Sequence, residues 1–283
     1  MALLHRAVAA GYYARRVIDV VARSLGVASD NHLRVLLYHD IAPTYQARFG
    51  EQMRWLRRHW RFVSPTRFAA MVSGEEVIRG RNVLLTFDDG YASNRVVAEK
   101  VLNPMNIQAI FFAIPAFVSQ VCRERAREFI AKRIIPGSRV EALPAHLCNM
   151  QWSDLEALIE QGHSVGAHTE THARLSQIAS ESELEREIVA SADTLEHRLG
   201  TPVDHFAYPF GNVHSINQMA LRVARRRFRF IHSGLRGDNA QRGLGVRRDA
   251  ATPSDTNALI GAWVEGVADF RYARSRAKLD AWL

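Results

Sequence analysis

Two stretches carry side chains whose types and spacing could do chemistry. The first is Thr86-Phe87-Asp88-Asp89-Gly90, where the apolar run Val83-Leu84-Leu85 leads into two adjacent carboxylates. Paired acids are costly to bury without a compensating proton or cation, so they belong at a strand mouth and not in a core. Such a pair can bind a metal, share a proton, or cap the helix that follows. The second stretch is His168-Thr169-Glu170-Thr171-His172. Two imidazoles four residues apart share a face on a helical turn and can there grip one ion. The glutamate sits midway between them, which separates the stretch from the metalloprotease pattern, where it directly follows the first histidine.

These groups must be positioned by the elements around them, and the pattern alternates strand and helix along the whole chain. Strands are expected at Arg34–His39, Val83–Phe87, Ala109–Ile114, His163–His168, His205–Tyr208 and Arg229–His232, with a last short one starting at Val246. Helices are expected at Phe49–His59, Thr66–Met71, Asn94–Leu102, Asp154–Glu160 (capped by Ser153), Ser182–Leu199 and Ile216–Phe228. Alternation of this kind predicts a parallel sheet, open or closed, whose strand ends gather at one mouth. Both acidic and imidazole stretches fall at such ends. Asp89, His168 and His172 would then supply three protein ligands, the number a catalytic zinc site uses while keeping one position open. Asp88 would remain free to accept a proton from water.

The chain has 283 residues, 47% of them hydrophobic, and a net charge of +8. That is enough for one barrel-sized core, and the basic balance favours acidic partners without naming one. Cys122 and Cys148 are the only cysteines and lack metal-type spacing, which argues against a disulfide scaffold. No secretory leader pattern is evident, so the cytoplasm or the cytoplasmic membrane face is the expected location. Nothing resembles a nucleic-acid module. Residues 2–25, within an N-terminal segment of 1–28, read as an amphipathic helix with Arg6, Arg15, Arg16 and Arg23. It would either pack on the domain or lie on an anionic membrane surface as a peripheral contact. Residues 119–149 lack a period and read as an insertion near the rim of the site; residues 256–283 read as a basic helical tail.

Three motifs in order, Thr86-Phe87-Asp88-Asp89-Gly90, His168-Thr-Glu-Thr-His172 and Tyr208-Pro209-Phe210-Gly211, resemble the signature of the polysaccharide deacetylase family (NodB homology, carbohydrate esterase family 4) over roughly residues 33–255. The resemblance implies a distorted (β/α) barrel of seven strands. It implies a divalent ion, zinc first and cobalt or nickel as substitutes, on Asp89, His168 and His172, with Asp88 as general base. It implies that the Phe210 N–H helps bind the oxyanion and that Gly211 lets substrate approach the backbone. The substrate class would be an N-acetylated amino sugar in a glycan or glycolipid precursor. Two departures stand out. Ala207 occupies the place where many members carry an arginine, and the usual leucine-x-histidine after Gly211 is absent. The chain instead resembles a subgroup with a Tyr-His motif near its start, here Tyr38-His39. On that basis His39 is the expected general acid, and Arg248, with Arg247 as its rival, the expected partner of Asp88. Two alternatives compete: hydrolysis of another linear or cyclic amide, and a non-catalytic carbohydrate-binding relative. Among the remaining groups, His163 is expected to be structural or to support a ligand, and His205 and His214, which flank the turn, to have no special role, with substrate contact the minority reading. Trp152 is expected at the core or rim, and Arg225–Arg227 with Arg229 at a solvated helix end.

Overall fold

The computed structural model describes residues 11–12, 31–240 and 245–283. The expected N-terminal helix therefore lies outside the described residues apart from Gly11 and Tyr12. Nine short strands form one parallel sheet: β1 (His32–Tyr38), β2 (Arg61–Phe62), β3 (Arg81–Phe87), β4 (Ala109–Ala113), β5 (Ser164–Ala167), β6 (His205–Ala207), β7 (Phe230–His232), β8 (Gly245–Val246) and β9 (Asp249–Ala250). Their order is β8-β7-β6-β5-β4-β3-β1-β9, with β2 beside the first half of β3. The seven strands expected are thus nine, because two-residue strands carry no periodic signal of their own. β8 and β9 sit at opposite ends of the row yet lie two residues apart in sequence. The sheet must therefore curl on itself, with Arg247 and Arg248 spanning the seam.

The strand period of two sorts the side chains. Leu33, Val35, Leu84, Ile110, Phe112, Ala207, Phe230 and Val246 fill the inside of the curl, joined by Phe68. Leu36, Tyr38, Val83, Leu85, Phe87 and Phe111 face outward under the helices. Continuing the same parity past the strand ends puts Leu37, His39, Asp88 and Arg248 on the inner side.

Local signals account for most helix limits. Ser64 caps Pro65–Ser73, Ser180 caps Glu181–Leu199, which Gly200 ends, and Asn217 caps Gln218–Arg227. The helix expected at Asp154 starts at Trp152 instead; its cap is Gln151, whose side chain and that of Asp154 bond reciprocally to backbone N–H groups. Ser153 therefore lies inside the helix. Residues 119–149 form a helical piece at Arg123–Phe129 that continues to Ile134, then turns and loops. Phe117, Ala126, Ile130, Leu143 and Leu147 give this region its own apolar cluster. The tail is helical at Asn257–Val264 and Ala273–Asp280. It is tied to the barrel by the buried Arg34, which forks onto Asp249 (2.9 and 2.7 Å) and reaches Asp269 (2.7 Å). No helix among the described residues is long and apolar enough to cross a membrane.

Candidate active site

The C-terminal ends of the strands open into a cavity of about 580 Å3 that holds the expected groups together. β3 delivers Asp88 and Asp89. Neither caps the next helix, Ala92–Val97, whose N-cap is Tyr91 with no side-chain bond. The Asp88 N–H is fixed to the Tyr38 carbonyl at 2.9 Å, and the backbone then turns through Asp89 at φ 76° and Gly90 at φ 87°. That left-handed turn swings the two carboxylates apart, so one faces Arg248 and the other the imidazoles.

Asp89, His168 and His172 are each buried, and their ligand atoms lie within 4.8 Å of one another. Asp89 Oδ1 is 3.4 Å from the Nε2 of each histidine. The segment that carries the imidazoles is a loop and not the helical turn the spacing suggested; Thr169 (φ 61°) and His172 (φ 60°) are left-handed. Four of the five non-glycine residues with positive φ among the described residues are Asp89, Thr169, His172 and Phe210. Strain of this kind is held only where surrounding contacts fix it, and it collects at functional sites.

The outer ring nitrogens decide which way the inner ones face. His168 Nδ1 lies 2.6 Å from the Ala207 carbonyl and His172 Nδ1 2.8 Å from the Arg133 carbonyl. A carbonyl can only accept, so each Nδ1 carries the proton and each Nε2 turns its lone pair inward. Two lone pairs and a carboxylate oxygen then converge on one point, a donor set that could hold a cation and suits a divalent ion of borderline softness. Burial pushes Asp89 up, but were the inner Nε2 atoms to carry protons instead, His168 and His172, with His39 beyond them, would hold its carboxyl well below the usual carboxylate range.

Asp88 has a different partner. Arg248, fully buried, forks onto it with Nη1–Oδ1 at 2.6 Å and Nη2–Oδ2 at 2.9 Å. Its Nε donates to the Ser233 carbonyl at 2.8 Å and its guanidinium lies over the Phe112 ring. Arg247 points the other way, to Asp280 and the Asp238 carbonyl. Strand parity thus separates the expected Arg248 from its equally charged neighbour.

His39 lines the same cavity from the end of β1, its carbonyl taking a bond from Asn94. Beside it Asp40 bridges Ser93 (2.7 Å) and His146 (2.8 Å), clipping the 119–149 segment to β1. Ile134, Ile135, Pro144 and Leu147 of that segment, with Tyr91, give the cavity an apolar wall. Phe210, at φ 64°, packs its ring on His172 and beneath Arg174, and its N–H meets no acceptor among the described residues. Gly211 has a reason other than the one expected. A Cβ there would come within 2.8 Å of the Gly234 backbone, and φ is 63°. The glycine is needed for backbone against backbone, and both glycines line the cavity.

Most of the remaining groups stand where they were expected. His163 is structural: Nδ1 accepts the Ala109 N–H at 3.1 Å and Nε2 donates to Asn103. His205 does not face substrate; it is buried inside the barrel and pairs with His232 at 3.0 Å. His214 is exposed. Trp152 is half-buried under Arg198, and Arg226 and Arg227 pair with Glu181, Asp193 and Glu196. The carbonyls of Ala207, Arg133 and Ser233 are parts of the site that sequence reasoning missed. Backbone acceptors leave no residue-type signal. Asp40 had one: it directly follows His39.

A parallel barrel whose mouth joins an Asp-His-His cluster to a second, arginine-held aspartate defines a class of hydrolase. Comparison with known proteins agrees. The polysaccharide deacetylase family model matches residues 77–226, more than half the chain, and the protein belongs to that family of carbohydrate deacetylases. A curated relative, "Putative polysaccharide deacetylase YxkH" of Bacillus subtilis, is 20% identical over 244 residues, 83% of this chain and 77% of that one. Among solved structures, IcaB from Ammonifex degensii superposes with a TM-score of 0.67 at 22% identity, covering 84% of this chain and 98% of its own. The Streptococcus pyogenes deacetylase PplD, in complex with acetate, gives 0.64 at 21%, covering 83% and 99%. At these identities the likeness speaks for the fold.

Proposed function

We propose that the protein removes the N-acetyl group from an amino sugar within a glycan or glycolipid precursor, using a divalent ion. Asp89, His168 and His172 would hold that ion, zinc first. When bound it supplies Lewis acidity, which favours ionisation of water and polarises the amide carbonyl.

The chain's own residues supply the rest. Asp88 takes the proton from the attacking water as the new C–O bond forms, and Arg248 fixes which oxygen faces the cavity. The Phe210 N–H donates to the oxyanion that develops on the carbonyl. His39 gives a proton to the leaving nitrogen as the C–N bond breaks, so that acetate and a free amine result. The apolar wall excludes water around the reacting amide, which strengthens these interactions.

The observation that carries the reading is the division of labour between neighbours. One carboxylate is committed to the two imidazoles, and the next is held by an arginine with lone pairs left toward the cavity. A binding protein has no use for the second. The test is acetate release from a panel of N-acetylated glycans, with and without chelator. Activity should vanish on chelation and return with zinc or cobalt, and Asp88→Asn should abolish it while leaving ion content unchanged. An ion-loaded protein that frees no acyl group from any amide offered would sink the proposal.

A further inference from the structure

The end of the barrel opposite the catalytic mouth holds a second cleft, of about 610 Å3, that deacetylation does not use. Arg57, Arg58, Arg61, Arg79 and Arg81 line it together with Trp60, and no carboxylate among the described residues does. Arg61 opens β2 and Arg81 opens β3, so the cleft sits at the start of the strands. The length of β3 separates it from Asp88 by on the order of 20 Å. No group bound there can touch the reacting amide.

The five guanidinium groups are differently committed. Arg81 pairs with Glu265 and stacks over the Trp60 ring at 4.5 Å, so it forms a fixed part of the wall. Arg57 donates to the Met105 carbonyl at 3.3 Å. Arg61 feels Glu76, which is itself forked onto Arg67. Arg58 and Arg79 are exposed and have no carboxylate partner among the described residues. Trp60 is only 3% exposed, and its indole N–H meets no acceptor among the described residues. The cleft therefore concentrates positive charge and leaves a donor unused.

The chain also enters the fold at this rim. Asn31 Oδ1 accepts the Gly80 N–H and the Gly80 carbonyl accepts the His32 N–H, both at 2.9 Å, and Gly80 lines the cleft.

We propose that this cleft is a phosphate-binding site. Arginine forks match phosphate oxygens two at a time, and several of them around one space suit a group that carries more than one charge. The phosphate can come from an anionic lipid headgroup, which would dock the barrel by its base with the catalytic mouth free, or from a soluble phosphorylated ligand.

The test uses the full chain and Arg58→Glu/Arg79→Glu, both exposed and remote from the mouth, with Arg58→Lys/Arg79→Lys as the charge-preserving control. Calorimetry with inorganic pyrophosphate measures the site itself. Cosedimentation with phosphatidylglycerol vesicles, against phosphatidylcholine vesicles, measures the lipid source. Each charge removed near a phosphate surface is worth about fivefold, so the double reversal should weaken pyrophosphate binding at least about tenfold while the lysine pair retains most of it. Loss of phosphatidylglycerol binding in parallel assigns the phosphate to a lipid; vesicle binding unaffected by the reversal assigns it to a soluble ligand. A wild-type chain that binds neither probe at about 0.1 M salt, or a reversal that binds both as wild type does, overturns the proposal. Neither binding measurement depends on turnover, so its outcome is independent of the deacetylase reading.

Discussion

Arg248→Met isolates the contact on which the division of labour between Asp88 and Asp89 rests. The wild-type pair is buried at the cavity wall, with two short charge-assisted bonds at 2.6 and 2.9 Å and a third from Nε to the Ser233 carbonyl. Methionine fills much of the volume but strands a buried carboxylate. Breaking a buried pair from one side typically costs about 3–5 kcal/mol, because the remaining charge has no partner. Asp88→Asn/Arg248→Met removes that stranded charge, and replacing both partners is close to neutral. The double variant should thus recover at least about 2 kcal/mol of the loss. Urea unfolding of the four proteins of the cycle gives the coupling. Acetate release should fall by about 10²–10⁴ in Arg248→Met, the share a positioned general base contributes, with ion content unchanged because Asp89, His168 and His172 keep their own partners. If Arg248→Met lost less than about 1 kcal/mol and kept its acetate release, the fork would be incidental and the assignment of Asp88 as base would lose its support.

Other expectations follow from the same geometry. His39→Ala should lower acetate release by about 10²-fold or more with ion content unchanged, and an activated ester, whose leaving group needs no proton, should be spared. Burial, with Arg95 adding to it, pulls His163 down from 6.5 to about 4. The folded state therefore binds fewer protons than the unfolded chain across that window. The stability His163 contributes is full above pH 6.5 and is lost as pH falls toward about 4, up to about 3 kcal/mol. Thermal unfolding against pH checks this; His163→Gln, which can still accept from Ala109 and donate to Asn103, should flatten that part of the profile. His205, pulled down to about 3 by burial, should keep its own share. Gly211→Ala combines a left-handed backbone with a Cβ 2.8 Å from Gly234, and should cost about 2–4 kcal/mol together with most of the acetate release.

The order of the three motifs and the alternation of strand and helix were legible because they are local. Asp88-Asp89 after an apolar run belongs at a strand end on desolvation grounds, and the period of two already assigns inner and outer faces. The helix end at Gly200 was equally local, whereas the starts expected at Ser182 and Ile216 fall instead after the caps Ser180 and Asn217. The two-residue strand β2 was not legible, nor was the division of the last expected strand into β8 and β9, because a strand that short is defined by its neighbours and not by its own residues.

What tertiary structure alone decided is how distant pieces meet. Sequence favoured Arg248 over Arg247 only weakly. The curl of the sheet, which brings its two end strands β8 and β9 together, turned Arg248 inward onto Asp88 and sent its neighbour out to Asp280. The imidazole pair looked helical by spacing, yet it works from a strained loop whose ring orientations are set by the carbonyls of Ala207 and Arg133. The reason is physical. Residue type fixes what a side chain can do, whereas a backbone carbonyl is the same in every residue, and only the path of the chain determines which one a histidine finds.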